Sequence, residues 1–316
     1  MTCKSGLVVL LGVCVAGLGT VAHAGTFDTY NVGSIDQQQG WTTRDAFLTS
    51  TTVGNWDQGI VNLGDRKVWR LSNAVTGSTY ASQPFSYKAA EVAGESGASL
   101  WNDKGTNGAS PISPALPGGT ATTDTFYSKV SFRSATGAAQ TGLGVVMSAS
   151  AKQSTVRMSW LQIADTGSGF DLRVYDLIAN GGFPATYMTI ASGLSYTALH
   201  TIETQIVFRD GVTTVGTDVY GNDELKVYLD GALIHTGSTW EGYYYNYERI
   251  TAGQPRLQAV DSMLFRLSGT AATGTTGNGF YFEDVVVSNT TIPEPASLSI
   301  VGLGAAALLM RRRRHA

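Results

Sequence analysis

The chain has 316 residues, and its 21 Lys plus Arg against 24 Asp plus Glu leave a net charge of −3, a balance that opposes binding to nucleic acid or to acidic polysaccharide. Charged residues make up only 14% of the sequence, while 38 glycines and abundant Thr and Ser accompany the apolar residues, a mixture that favours strands joined by turns over helices. Both cysteines, Cys3 and Cys14, fall within the first 24 residues, which excludes a disulfide framework or a thiolate metal site from the rest of the chain.

Residues 1–24 read as a secretory signal peptide. Lys4 supplies the positive charge, Leu7 to Val15 the apolar run, and Ala22-His23-Ala24 the small-residue site, so signal peptidase is expected to cut between Ala24 and Gly25. The apolar run is well short of the roughly 20 residues needed to cross a bilayer as an uncleaved anchor.

Residues 25–291 then form the body. Without the two ends it carries 16 Lys plus Arg against 23 Asp plus Glu, a net charge of −7. Apolar residues recur at spacing two, the sign of a strand with one buried face. Phe126, Val130 and Phe132 share a face; so do Val156, Met158 and Trp160, and Leu172 and Val174 continue that pattern beyond the turn Gly167-Ser168-Gly169. Ile202, Ile206 and Phe208 alternate up to Asp210-Gly211, and Leu225, Val227 and Leu229 up to Asp230-Gly231; Asp-Gly between apolar runs marks a tight hairpin because both residues tolerate positive φ. The last strand runs from Phe280 to Val287. Ser86 to Ala93 is the one expected short helix, Ala93 to Thr123, with its prolines and glycines, an expected long loop, and Gly269 to Gly279 a flexible loop. No internal repeat divides the body, so the expectation is all-β: a single jelly-roll-like two-sheet antiparallel sandwich, flanked by an N-terminal signal helix and a short C-terminal membrane helix.

The stretch Glu224 to Leu233, preceded by Ile206 to Gly211, resembles paired strands of concanavalin A-like lectin/glucanase and laminin-G-like jelly rolls. That resemblance covers about 35 residues and implies glycan binding by analogy of fold. It also raises the prospect of a glycosidase, which needs two carboxylates flanking one bond. The laminarinase-like pattern Glu-x-Asp-x-x-Glu does not occur, and Glu283-Asp284, being neighbours on a strand, are expected to point to opposite faces. With no Gly-x-Ser-x-Gly and only His200 and His235 in the body, no catalytic residue is assigned; His235 is expected to be a half-exposed strand residue. The candidate glycan contacts are Trp240, Tyr243, Tyr245 and Tyr247, since aromatic faces stack on sugar rings; the same residues also suit a core or sheet edge. No metal site or cofactor is assigned, although Asp218, Asn222, Asp223 and Glu224 gather oxygen donors suited to Ca2+ near one turn.

Residues 292–316 form a tail of three parts in order: Pro293-Glu294-Pro295, the apolar stretch Ala296 to Met310, and Arg311-Arg312-Arg313-Arg314. The prolines keep the segment before the apolar run out of a helix. The arginines fix its direction, since basic clusters beside a membrane segment stay cytoplasmic, which leaves the body outside the inner membrane. This tail resembles the PEP-CTERM sorting signal of Gram-negative bacteria. The resemblance implies recognition of Pro293, Glu294 and Pro295 by an exosortase, a membrane cysteine protease, and an association with exopolysaccharide and biofilm; an ordinary tail anchor would share the length and flanks.

The sequence thus points to an exported protein, an inner-membrane-anchored precursor that reaches the cell surface or extracellular matrix. Its body is read as a non-catalytic binding or structural module, the alternative being a secreted carbohydrate-active enzyme, glycosidase or lyase, on the same fold. N-terminal sequencing of exported material is expected to begin at Gly25; a start upstream of Leu7 would show that the leader is retained and would undo the orientation.

Overall fold

The alternating segments fold as strands whose apolar residues meet between two sheets. The structure is a computed structural model, and it describes residues 26–42, 56–77, 85–88, 100–101, 106–107, 110–111, 125–150, 157–176, 186–208, 212–215, 218–240, 243, 259–260, 262–267 and 269–288. In chain order the strands are β1 (Trp41–Thr42), β2 (Gln58–Leu63), β3 (Arg66–Leu71), β4 (Phe85–Lys88), the short pieces β5 (Leu100–Trp101), β6 (Thr106–Asn107) and β7 (Ser110–Pro111), β8 (Thr125–Ser134), β9 (Gly144–Ser150), β10 (Leu161–Asp165), β11 (Phe170–Val174), β12 (Met188–Leu194), β13 (His200–Val207), β14 (Val212–Val215), β15 (Asp218–Gly221), β16 (Glu224–Leu229), β17 (Ala232–Gly237), β18 (Ala259–Val260), β19 (Ser262–Arg266) and β20 (Phe280–Ser288). Among the described residues, fourteen of them form two seven-stranded antiparallel sheets. The first has the order β17-β16-β13-β8-β20-β3-β2 and the second β1-β4-β19-β9-β10-β11-β12. Strands adjacent in the sheets are often distant in the chain, the connectivity of a jelly-roll-like sandwich.

Phe126, Val130, Phe132, Ile202, Ile206, Leu225 and Val227 are buried on the inner face of the first sheet, as their spacing predicts. Opposite them, Val145, Met147, Ile163, Leu172, Val174 and Phe265 are buried on the second. Trp69 of β3 joins the layers. Its ring centroid lies 4.8 Å from Trp41, 5.3 Å from Phe85 and 5.0 Å from Phe265 in the second sheet, and 5.3 Å from Phe282 in its own. Its indole N–H donates to the Gln58 side chain at 3.2 Å, so the one polar atom of the ring is satisfied.

Asp230 and Gly231 connect β16 to β17 with φ of 51° and 83°, the two positive values of the tightest hairpin turn. The Asp230 carboxylate also accepts the Thr201 backbone N–H at 2.7 Å and faces His200 Nδ1 at 3.0 Å. The turn therefore pins the start of β13 as well as reversing the chain.

Several expectations are corrected. Residues 85–88 are the strand β4, paired with β1 and β19, because burying Phe85 against Trp69 outweighs a weak helical pattern; residues 89–93 lie outside the described set. The expected loop Ala93 to Thr123 contributes β5, paired with β18, and the pair β6–β7; its other residues are not described. β14 and β15 form a hairpin that the sequence pattern does not disclose. The strand expected around Met158 and Trp160 begins only at Leu161, so Leu161 and Ile163 are its buried residues. The Gly269–Gly279 stretch is fastened rather than free. Ala272 N–H donates to Asn73 O at 2.9 Å, Gly277 N–H to Asp57 at 2.9 Å, and Gly279 N–H to Gln140 at 2.7 Å. The expected terminal helices, in 1–24 and 292–316, lie outside the described residues; among the described residues no helix is long and apolar enough to cross a membrane.

Asp57 is the hub of that fastening. It pairs with Arg70 at 2.7 Å and accepts the Ser72 hydroxyl at 2.6 Å in addition to Gly277. Burial pushes its carboxyl up, but the Arg70, Ser72 and Gly277 hydrogen bonds outweigh this and hold it below the ordinary carboxylate value. A group depressed in the folded state contributes stability that is present above its unfolded pKa, near 3.8, and lost as pH falls through the folded value. Asp57→Asn is therefore expected to lower stability at neutral pH by about 1.5–3 kcal/mol, the range for hydrogen bonds to a charged group, and the gap to wild type should close as pH falls below the unfolded value. Thermal melts across that range check both the size and the sign.

Candidate functional site

Strand alternation that buries Leu161, Ile163, Leu172, Val174, Met263 and Phe265 leaves Gln162, Arg173 and Arg266 on the outer face of the second sheet. The register then aligns them. Arg266 of β19 lies opposite Val146 of β9, Val146 opposite Gln162 of β10, Gln162 opposite Arg173 of β11, and Arg173 opposite Thr189 of β12. One row of side chains thus crosses five strands. It lines a groove of about 270 Å³ whose rim includes Asn73, Gly142, Gly144 and Thr270. Asn73 holds that rim in place, donating to Gly142 O at 2.9 Å and accepting from Gly144 N–H at 3.3 Å.

A second row, of aromatic rings, runs beside the first. Trp160, just before β10, lies 4.5 Å from Tyr175 and is stacked on Tyr187 at 6.4 Å with 17° between planes; Tyr175 and Tyr187 are 6.3 Å apart. Trp160 is 8% exposed and Tyr187 43%, so Tyr187 presents the outer surface of the group. Arg173 links the rows, its guanidinium carbon 4.6 Å from the centre of the Tyr187 ring, a cation–π distance. The same guanidinium pairs with Asp171 at 3.2 Å, while its buried Nε–H has no hydrogen-bond partner among the described residues.

The nearest carboxylates have structural tasks. Asp165, at the end of β10, accepts Gly167 N–H and the Tyr196 hydroxyl at 2.7 Å each, and also the backbone N–H of Gln140. The Tyr196 hydroxyl in turn receives Gly169 N–H at 2.9 Å. Burial and the bond to Asp165 push the Tyr196 hydroxyl pKa up. The loop into β11 is therefore locked. At Gly169, whose φ is 149°, an added Cβ would come within 2.6 Å of the Gly193 backbone, so only glycine fits.

The residues singled out in the sequence are placed differently. Trp240 is 1% exposed, its indole N–H donating to Tyr175 O at 3.3 Å and its backbone N–H to Met158 O at 2.9 Å. This corrects its candidacy as a sugar platform, since a ring buried in the core offers no open face. Tyr243 is partly buried against the core, and Tyr245 and Tyr247 lie outside the described residues. His235 is nearly buried rather than half exposed, 3.5 Å from Asp176. Burial raises the Asp176 pKa, but the neighbouring His235 ring and the hydrogen bonds from Ser238 outweigh it and hold the carboxyl low. The Ser238 hydroxyl donates to Asp176 itself at 3.1 Å.

Glu283 and Asp284 do not point to opposite faces. A bulge in β20 between Phe282 and Asp284 inserts the extra residue that turns both outward. Glu283, 8% exposed, is clamped by Arg66 at 2.6 Å and Arg133 at 2.8 Å, and Asp284 pairs with Lys129 at 3.0 Å. Of the calcium candidates, Asp223 is buried and accepts the Thr239 hydroxyl at 2.7 Å, and Glu224 pairs with Lys226 at 2.9 Å; the Asp218 side chain is not described. Among the described residues no three His, Cys, Asp or Glu side chains gather as a metal site would need. The cleavage residues Ala22, Ala24 and Gly25, the triplet Pro293, Glu294 and Pro295, and the block Arg311 to Arg314 all lie outside the described residues.

Gln162, Arg173 and Arg266 escape the sequence reading. Their alternation with buried residues is visible in Leu161-Gln162-Ile163 and Leu172-Arg173-Val174, but it looks like any solvent-facing strand side. Their convergence depends on β19 lying beside β9, which no local pattern announces.

Comparison with known proteins finds two kinds of likeness. Residues 291–314 match the PEP-CTERM protein-sorting motif. No curated protein matches the chain in sequence. In structure, the chain is similar to an alginate lyase, PA1167, from Pseudomonas aeruginosa, with 8% identity over 73% of this chain and 86% of that one at a TM-score of 0.42. It is likewise similar to the alginate lyase vAL-1 from Chlorella virus, with 10% identity, coverage of 74% and 89%, and a TM-score of 0.40. The galectin LEC-6 of Caenorhabditis elegans shares 8% identity over 52% of this chain and 84% of its own, at a TM-score of 0.29. No residue role is transferred from these proteins.

Proposed function

We propose that the chain is an exported protein of the cell surface or extracellular matrix, processed by an exosortase at Pro293-Glu294-Pro295, whose sandwich is a non-catalytic module that holds glycan on the outer face of its second sheet. The observation that carries the binding part is the exposed Tyr187, backed by Tyr175 and the buried Trp160, beside the row Arg266, Gln162 and Arg173. Aromatic faces suit the apolar faces of sugar rings, while amide and guanidinium groups take hydroxyl and acidic oxygens. The sorting motif at 291–314 supports delivery to the surface.

A binding rather than a cleaving role is supported by the carboxylates at the groove. Hydrolysis of a glycosidic bond calls for two carboxylates facing across it, whereas Asp165 is engaged by Gln140, Gly167 and Tyr196, and Asp171 by Arg173. Incubation of the full chain with glycans is thus expected to give binding without shortened or unsaturated products; turnover would favour the enzyme alternative. Tyr187→Ala, at an exposed position, should weaken retention of glycan roughly threefold to tenfold, the equivalent of one aromatic contact, with an unchanged melt. Unaltered retention would remove Tyr187 from the binding face.

The sorting part is tested separately. Glu294→Ala leaves the apolar run and arginines untouched, so a simple tail anchor should tolerate it. An enzyme pocket built around the carboxylate should not, because its own polar groups lose their partner. Immunoblots of membrane and released fractions are expected to show unprocessed chain accumulating in the variant. Equal processing of both would sink the sorting reading of Glu294.

A further inference from the structure

The groove is lined by two arginines together with the Asp165 carboxylate, which Gln140, Gly167 and Tyr196 engage. Arg266 and Arg173 stand at the two ends of a cross-strand row with Gln162 between them, while the body as a whole has a net charge of −7. With adjacent strands about 4.8 Å apart, the step from β19 to β11 spans about 14 Å. That separation addresses more than one sugar ring of a chain lying across the strands.

The state of Arg173 says what kind of group is missing. Asp171 engages one terminal nitrogen of its guanidinium, yet a guanidinium has five N–H donors. The Nε–H is buried and has no acceptor among the described residues. A planar oxyanion is the group that matches a guanidinium edge best. The ring of Tyr187 covers one face of the same guanidinium, which leaves the edge as its route to a ligand. Neutral sugar hydroxyls would fill such a position with one acceptor at a time; a carboxylate offers two oxygens in the plane of the fork.

We infer that the groove is selective for an acidic glycan, a polymer of uronic acid residues whose carboxylates are taken by Arg173 and Arg266 while Gln162 contacts the chain between them and Tyr187 the ring beyond Arg173. This rests on the glycan-binding reading above and narrows it. It also reverses, for this one face, the expectation from bulk charge. At ionic strength near 0.15 M the Debye length is about 8 Å, so acidic residues elsewhere on the molecule are largely screened from a ligand seated in the groove.

The test uses the purified full chain with polygalacturonate, its fully methyl-esterified form and a neutral xylan, each measured by titration calorimetry near physiological salt. The expected result is binding of polygalacturonate at least tenfold tighter than of the methyl ester, with that preference abolished in Arg173→Gln and in Arg266→Gln. Arg173→Lys keeps the charge but loses the fork, and should recover only part of the preference. Thermal melts of each variant identify any that fail to fold, and the two positions on different strands provide independent readings. Equal affinity for acid and ester, or a preference that survives both Gln variants, overturns the acidic-glycan inference while leaving glycan binding intact. Binding to none of the three polymers overturns this inference and counts against the broader reading as well.

Discussion

The groove exists because Leu161 and Ile163 cannot leave the core. Both are buried between the sheets, and side chains on a strand alternate with a period of two, so their burial fixes Gln162 on the outside. A slip of β11 by one residue against β10 would carry Arg173 inward and expose Leu172. Such a change buries a charge and uncovers apolar surface together, and both terms oppose it. The same constraint acts in β19, where Met263 and Phe265 are inside and Arg266 is consequently held out. The row of polar groups is therefore specified by the apolar residues between its members, one of which, Phe265, packs on Trp69 of the first sheet.

The two outer faces use their charges in different ways. On the first sheet nearly every described charge has an opposite neighbour: Glu283 with Arg66 and Arg133, Asp284 with Lys129, Glu224 with Lys226, Asp57 with Arg70. The Tyr127 hydroxyl adds to this by donating to Glu203 at 2.6 Å; burial first, and then that carboxylate, push its pKa up. Such a network pairs opposite charges, although Asp284 Oδ1 is left without a hydrogen bond among the described residues. On the second sheet Arg173 shares one carboxylate and retains an unengaged N–H beside a cavity.

Much of the sandwich was legible in the sequence because burial writes itself as alternation. The hairpin at Asp230-Gly231, the turn at Gly167-Ser168-Gly169 and the final strand from Phe280 follow the pattern closely. The pattern misled where one residue breaks the period. The bulge in β20 undoes the simple rule that Glu283 and Asp284 face apart, and the late start of β10 moves Trp160 from the inner face to the company of Tyr175 and Tyr187. The candidate site was less legible still. The cluster beginning at Trp240 stands out in the sequence because its aromatics are contiguous, yet Trp240 serves the site from below, bonding the Tyr175 carbonyl. The residues that line the groove come from β9, β10, β11 and β19, and contiguity in space rather than in sequence makes them a set.

The placement of the tail relative to the groove follows from β20. That strand begins at Phe280, next to Gly279, whose N–H and carbonyl both bond the Gln140 side chain at 2.7 and 2.8 Å. Gln140 also donates its backbone N–H to Asp165 of the groove, so the groove's rim lies at the end of the sandwich where β20 starts. Eight residues later the strand ends at Ser288, opposite Tyr127, about 26 Å away at 3.3 Å per residue. It belongs to the first sheet, whereas the groove is on the outer face of the second. The sorting motif, which starts at residue 291, is thus joined to the sandwich at the end remote from the groove and from the opposite layer. Ser288, the last described residue before that motif, thus stands away from the groove's rim.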